Sequence, residues 1–185
     1  VQPRVKPQAD PLDAWRTLCP IGFRTTPEGG RLNPDGFPAL PALSDLIWFH
    51  GPPQARKTAT AWRVAKSFWD RGFKVFAFGQ FEFGTQYSDE GGKFTLDAWI
   101  KSLRAEKTFL FIDDIGKAQW TDGAFGAFWA TLDARQNLGL TTLITENRHP
   151  SQIAEQWREN KSATAQRISG PVKRRFQAGT IVEFK

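Results

Sequence analysis

The sequence predicts a three-layer α/β fold in which helices cover both faces of a parallel β-sheet. Two observations lead to this prediction. Short apolar runs, each long enough for a buried strand, alternate along the chain with segments of helical periodicity. A glycine-containing loop, Gly51 to Thr58, also lies between the first apolar run and a helical segment. Because parallel strands need a crossover connection, usually a helix, this alternation favours a parallel sheet.

The composition is that of one globular domain. The chain has 185 residues, of which 40% are apolar and 14% aromatic. Its apolar stretches are too short for a membrane span, and its N-terminus lacks the apolar core of a secretory signal. The single cysteine, Cys19, excludes an internal disulfide and a cysteine-rich zinc site, and we expect a cytoplasmic protein. The net charge of +6 is as consistent with an anionic partner such as nucleic acid as with a solvated basic surface.

The first segment, residues 1–44, is predicted to be an irregular arm. It is rich in proline and glycine, with turn signals at 27–30 and 33–36. One short helix is expected in it, starting near Pro11. The remaining residues, 45–185, are predicted to form the α/β domain.

Five strands are expected in that domain, each a short run of mainly apolar or β-branched residues. They cover residues 46–49, 74–78, 109–112, 141–145 and 180–184. The helical segments between them cover residues 57–71, 96–103, 124–136, 151–157 and 163–176. Gly72 is expected to end the first of these helices, and Ser151 to cap the fourth.

The loop after the first strand matches a phosphate-binding pattern at all but one of its defined positions. The pattern is G-x-x-x-x-G-K-[ST]; Gly51, Lys57 and Thr58 match it, and Arg56 stands at the second glycine. The backbone N–H groups of such a loop cradle phosphates, its lysine reaches the outer phosphates, and its hydroxyl binds Mg²⁺. The predicted nucleotide-binding residues are Gly51, Pro52, Pro53, Gln54, Ala55, Arg56, Lys57 and Thr58.

Arg56 leaves three interpretations of this loop open. Glycine normally lets the backbone bend tightly around a phosphate, because it has no Cβ. An arginine would either add a guanidinium to the phosphate site or distort the loop and fill the space that a nucleotide needs. The third interpretation is an ordinary strand–turn–helix junction with a chance Lys-Thr pair.

Two adjacent carboxylates end the third strand. In phosphate-loop enzymes a strand-end aspartate holds Mg²⁺, and Asp113 is predicted to do so together with Thr58. Asp114 would orient or activate the attacking water. The alternative is that both aspartates merely begin a turn before Gly116. The two carboxylates and the phosphate loop together favour the functional interpretation.

Five segments, in the order in which they occur, carry a resemblance to a known family. They are residues 15–20, 57–62, 111–117, 145–147 and 171–176. The most specific is 111–117, which reads Phe-Ile-Asp-Asp-Ile-Gly-Lys. In this order they resemble the arm before the core, the loop-to-helix passage, the Walker B region, the sensor-1 position and the arginine-finger segment of DnaC/IstB-like AAA+ ATPases. These are helicase-loader or transposition-helper proteins, including phage and mobile-element relatives, and the similarity covers about residues 12–184.

The resemblance implies a definite fold and set of roles. It implies an AAA+ core with a parallel sheet of order 5-1-4-3-2 and no separate C-terminal lid. It implies ATP and Mg²⁺ as cofactors and Asn147 as the sensor of the γ-phosphate. Arg175, with Arg174 as the next candidate, would act on the nucleotide of a neighbouring subunit. It also implies homo-oligomers on single-stranded DNA, and a replicative helicase or a transposase as partner.

Two functions of different classes follow from these observations. The first is an ATP-dependent accessory ATPase in DNA replication or mobile-element biology. The second is a degenerate AAA+ module that binds DNA or a partner protein without ATP turnover, which Arg56 favours. The basic pair Arg174 and Arg175 would otherwise be part of a solvated helix, and His50 and His149 are expected to be structural or surface groups.

Overall fold

A computed structural model describes residues 11–20, 45–79, 101, 103, 105–116 and 120–185. The turns predicted at 27–30 and 33–36, most of the helix predicted at 96–103, and Lys117 lie outside these ranges. No helix among the described residues is long and apolar enough to cross a membrane.

The described strands form one parallel sheet. They are β1 (Leu46–His50), β2 (Lys74–Gly79), β3 (Thr108–Asp113), β4 (Thr142–Glu146) and β5 (Thr180–Glu183). Their order is β2-β3-β4-β1-β5, which confirms the predicted order 5-1-4-3-2 read from the other side. The central strands are apolar along their length because both of their faces are covered.

The strand register brings one set of loops together. His50, the last residue of β1, is level with Glu146 at the end of β4 and with Glu183 of β5. Since all strands are parallel, the segments after β1, β3 and β4 leave the sheet at the same side, which we call the carboxyl edge. In open parallel sheets this edge is where ligands bind.

The described helices lie close to the predicted positions. They are α1 (Pro11–Leu18), α2 (Lys57–Asp70), α3 (Asp122–Asn137), α4 (Pro150–Arg158) and α5 (Ala163–Ala178). Gly72, with a φ of +80°, follows the end of α2 as predicted. The predicted cap of α4 is wrong: His149 rather than Ser151 caps it, with Pro150 in the first turn and Gln152 completing a capping box.

Alternate residues of the central strands enter two separate cores. Ile47 and Phe49 of β1 pack toward α1 and α2, whereas Trp48 packs toward α3, α4 and α5. The three-layer arrangement predicted from the sequence is thereby confirmed. Burying each of these large apolar side chains contributes about 1.5–3 kcal/mol.

Helix α1 is anchored to the domain by an aromatic cluster. Trp15 is only 3% exposed, and its ring centroid lies 5.9 Å from that of Trp62 and 5.6 Å from that of Trp69. Both partners lie on α2. Part of the N-terminal segment is therefore packed into the core, against the helix that follows the phosphate loop.

A fully buried arginine joins α3 to the starts of β3 and β4. The Arg135 guanidinium donates to the Thr142 hydroxyl and to the Thr108 hydroxyl and carbonyl. It also donates to the carbonyls of Leu103 and Thr141. Burial lowers the pKa of Arg135 to about 9, so the group still carries its charge at neutral pH.

Candidate functional site

The loop from Gly51 to Thr58 leaves β1 at the carboxyl edge. Gly51 has a φ of +144°, and a Cβ there would collide with the carbonyl oxygen of Phe184. The Phe184 N–H in turn donates to the His50 carbonyl at 2.7 Å. The segment just after β5 thus fixes where the loop begins, and only glycine fits at that point.

Lys57 begins α2 and points back into the loop. Its ammonium donates to the carbonyls of Gly51 and Pro52 at 2.9 and 2.7 Å, and to the Asn147 side-chain oxygen at 3.0 Å. These three acceptors are neutral, and Lys57 is only 8% exposed. A buried ammonium at the N-terminus of a helix is a favourable place for an anion. The structure therefore brings the predicted phosphate-binding lysine and the predicted sensor residue together.

Arg56 takes the left-handed conformation that a glycine would adopt easily. Its φ and ψ are 63° and 17°, and Gln54 also has a positive φ, of 67°. Helix α2 nevertheless starts at the next residue, and the Thr60 N–H donates to the Arg56 carbonyl at 2.9 Å. The Arg56 side chain is exposed, with no hydrogen bond or ion pair to any residue that the structure describes. The arginine thus leaves the loop-to-helix transition intact.

Thr58 and Asp113 meet between α2 and β3. The Thr58 hydroxyl donates to Asp113 Oδ1 at 2.8 Å, and the Thr145 hydroxyl donates to the same oxygen. Thr145 also accepts the Asp114 N–H at 3.0 Å. Thr145 therefore fixes the carboxylate of Asp113 and the backbone of Asp114 at the same time. Sequence reasoning gave Thr145 no role, because only the adjacency of β3 and β4 reveals it.

The residues present fit a Mg²⁺ ion that is completed by phosphates. Thr58 and Asp113 offer one hydroxyl and one carboxylate, and Mg²⁺ commonly takes one or two carboxylates with substrate phosphates and water. Among the described residues, no group of three or more His, Cys, Asp or Glu is arranged to hold a metal. These two side chains would thus hold the ion together with a bound nucleotide.

The turn after β3 carries Asp114. Asp114 has a φ of 59°, and the Ile115 N–H donates to the Thr145 carbonyl at 3.3 Å. The Gly116 N–H donates to the buried carboxylate of Glu146. The backbone of this turn is therefore held by the end of β4. Glu146 was not predicted to have a role of its own.

The two histidines stand beside the loop as structural groups. Their rings lie 5.1 Å apart, edge to face, and the His149 ring accepts the Ser151 N–H at 3.3 Å as the cap of α4. Burial lowers the pKa of His50, and the nearby His149 lowers it further. Glu183 opposes this shift, whereas the charge of Lys57 adds to it.

Arg175 and Arg174 lie away from the phosphate loop of their own chain. Helix α5 is capped at its C-terminus by Gly179, which packs against Leu46 at the start of β1, opposite the carboxyl edge. Arg175 forms an ion pair with Asp133. Its guanidinium also donates to Gln136 and lies 4.6 Å from the ring centroid of Trp129. Arg174 is exposed beside a cavity of about 380 Å³ between α3 and α5.

Comparisons with known proteins agree with this architecture. No protein-family model matches the sequence, and no curated protein matches it. The solved structure of AMPPCP-bound DnaA from Aquifex aeolicus aligns with 78% of this chain at 17% identity and a TM-score of 0.62. DnaI aligns with 78% at 18% identity and a TM-score of 0.62, and the DnaC helicase loader with 76% at 20% identity and 0.58.

The chain accordingly has the fold of the AAA+ P-loop NTPases. The aligned part covers 41% of the DnaA chain but 75% of the DnaI chain and 78% of the DnaC helicase loader. DnaI and the DnaC helicase loader are the kind of protein that the sequence motifs resemble. At these identities the likeness confirms the fold.

Proposed function

We propose that this protein binds ATP and Mg²⁺ at its phosphate loop and hydrolyses ATP. We further propose that it acts as a helicase-loader-like accessory ATPase in DNA replication or mobile-element biology. The observation that carries the first proposal is the meeting of Lys57 with Asn147, and of Thr58 with Asp113, at one edge of the sheet. A charged phosphate ligand, a polar sensor and a metal-binding pair are the parts that phosphoryl transfer requires.

Lys57 and the N-terminus of α2 would bind the phosphates. The ammonium donates to the carbonyls of Gly51 and Pro52. A phosphate oxygen is a stronger partner than a neutral carbonyl, because the hydrogen bond then joins opposite charges. Lys57 would therefore exchange these carbonyls for phosphate oxygens. Asn147 is within reach of the lysine, so its amide would respond to whether the γ-phosphate is present.

Asp113 and Asp114 would serve different steps. Bound Mg²⁺ neutralises charge on the phosphate oxygens. Thr58 and Asp113 would hold it, with Thr145 orienting the carboxylate. Asp114, in the next turn, would orient the attacking water.

The proposed partners are single-stranded DNA and a replicative helicase or a transposase. One DnaA structure was solved with AMPPCP and single-stranded DNA bound, and two neighbours are DnaI and the DnaC helicase loader. The net charge of +6 would favour nucleic acid. We also propose a homo-oligomer in which Arg175 or Arg174 reaches the neighbouring subunit's nucleotide. Arg174 is the more accessible, because Asp133 and Gln136 already hold Arg175.

A second function, binding DNA or a partner protein without ATP turnover, is supported by one observation. Arg56 stands in the loop at a residue with a positive φ, where phosphate-binding loops carry glycine, and its side chain is free to occupy the site. In that case the phosphate loop would keep its conformation without binding a nucleotide, and the protein would act only by binding DNA or a partner protein.

A nucleotide titration separates the two functions. ATP with Mg²⁺ would be titrated calorimetrically into the wild type, Lys57→Ala and Lys161→Ala, with and without single-stranded DNA. Lys161 is an exposed lysine between α4 and α5 and serves as the matched control. We expect binding by the wild type and by the control, and loss of binding by Lys57→Ala. A wild type that binds no ATP at millimolar concentration but still binds DNA would establish the second function.

A further inference from the structure

Glu146 and Arg148 form a charged pair on either side of the predicted sensor residue. The Glu146 side chain is only 1% exposed, and the Arg148 side chain 37%. Their Nε and Oε1 atoms are 3.4 Å apart. A buried carboxylate is costly unless it is paired and hydrogen-bonded, so its presence here calls for a specific partner.

Besides Arg148, the buried carboxylate has a second partner, the backbone of Gly116. Glu146 accepts the Gly116 N–H, and Arg148 Nη2 donates to the Gly116 carbonyl at 2.9 Å. Both polar groups of one turn residue are therefore held by the charged pair. A Cβ on Gly116 would collide with the ends of both side chains, so any other residue there would force the pair to shift.

The turn held in this way is the one that carries Asp114. Its three consecutive N–H groups are all accepted by the end of β4. Asp114 donates to the Thr145 hydroxyl at 3.0 Å, Ile115 to the Thr145 carbonyl at 3.3 Å, and Gly116 to Glu146. Asp114 is left-handed, with a φ of 59°, which costs a non-glycine residue about 1 kcal/mol or more. Such a conformation persists only where its surroundings hold it.

Arg148 is itself anchored from two directions. The Trp48 indole donates to its backbone carbonyl at 3.2 Å, and its Nη1 donates to the Gln156 side chain on α4 at 2.8 Å. The pair thus joins β1, β4 and α4 to a single turn. Neither side chain bonds to Lys57 or Thr58 in these contacts.

We propose that Glu146 and Arg148 are positioning residues, which hold the turn of residues 114–116 in the conformation that ATP hydrolysis requires. This inference rests on the proposed function, in which Asp114 orients the attacking water. Releasing the turn would then impair the chemical step and leave nucleotide binding largely intact. Misplacing a catalytic group by about 1 Å costs on the order of a hundredfold in rate.

The test compares Glu146→Ala, Glu146→Gln and Arg148→Ala with a matched control. Arg158→Ala is that control. Like Arg148, Arg158 pairs with a glutamate, here Glu155 on α4, but both of these side chains are exposed. For Glu146→Ala and Arg148→Ala we expect kcat to fall about tenfold to a hundredfold, with the Kd for ATP changed by less than about threefold. Glu146→Gln keeps an oxygen for the Gly116 N–H and should recover most of the rate, and Arg158→Ala should match the wild type.

Amide hydrogen exchange supplies a readout that needs no turnover. The Gly116 N–H should exchange faster in Glu146→Ala than in the wild type. In Arg158→Ala its exchange rate should equal that of the wild type. Unchanged exchange, or an unchanged kcat in both alanine variants, would overturn the proposal, as would a raised Kd with the wild-type kcat. Arg148 is partly exposed, so its variant keeps the test valid even if Glu146→Ala unfolds. A wild type without ATP binding would refute the proposed function instead, and the exchange of Gly116 would then decide whether the pair positions this turn.

Discussion

Replacing Arg56 by glycine tests the loop most directly, because backbone and side chain have separable effects. The left-handed conformation, with φ 63° and ψ 17°, costs an L-residue about 1–2 kcal/mol. Glycine removes that cost but loses about 0.5–1 kcal/mol more entropy on folding. We therefore expect Arg56→Gly to stabilise the fold by about 0–1.5 kcal/mol. In a domain of this size that raises Tm by up to about 6 °C.

The effect on ATP should have the opposite sign. The loop already has the backbone conformation that suits glycine, so glycine restores nothing there and removes an exposed cation beside the phosphates. A charge-assisted hydrogen bond contributes about 1.5–3 kcal/mol, and less where it is exposed to water and salt. We expect about tenfold weaker binding of ATP, with the difference shrinking as salt rises.

Arg56→Ala is the matched control for this prediction. It removes the guanidinium but keeps a Cβ in the left-handed conformation, so it should weaken ATP binding equally without the gain in Tm. Calorimetric titration and thermal unfolding of the three proteins measure both quantities. Tighter ATP binding by both variants would refute the reasoning, since it would mean that the arginine obstructs the site.

Two other predictions concern groups whose pKa is lowered by burial. Arg135→Met should destabilise the protein by about 3 kcal/mol in urea unfolding, since the carbonyls of Leu103, Thr108 and Thr141 would each lose one donor; a change below about 1 kcal/mol would contradict this. The pKa of His50 is lowered by burial, so the unfolded chain binds the proton more readily than the folded protein does. Stability should therefore rise with pH up to about 6.5 and level off above that pH. His50→Asn should flatten that dependence, and an equally steep profile would show that other groups cause it.

The sequence predicted the fold well because its local and long-range signals agree. Apolar runs such as Phe109–Ile112 have the length of buried strands, and the motif resemblance supplied the strand order that periodicity cannot give. The cap of α4 was predicted wrongly because serine is a common cap and histidine is not. Here Pro150 fills the first helical position, which places the cap at His149, two residues before the predicted Ser151.

The site could be predicted only where one motif contains the residue. Lys57 and Asp113 lie in recognisable motifs, whereas the roles of Thr145, Glu146 and Arg148 depend on β4 lying beside β3. A charged residue on each side of Asn147 was the available signal for the last two. It has no meaning until Gly116 is known to lie between them.

The aromatic contact of α1 bears on where this chain can be divided. Trp15 covers Trp62 and Trp69, and α2 carries both of these rings within one helix that begins at Lys57. A polypeptide starting at residue 45 would present that apolar surface to water, where it would promote self-association. The smallest unit suitable for crystallisation or expression should therefore begin before Pro11, and limited proteolysis between α1 and β1 should leave the two pieces bound to each other.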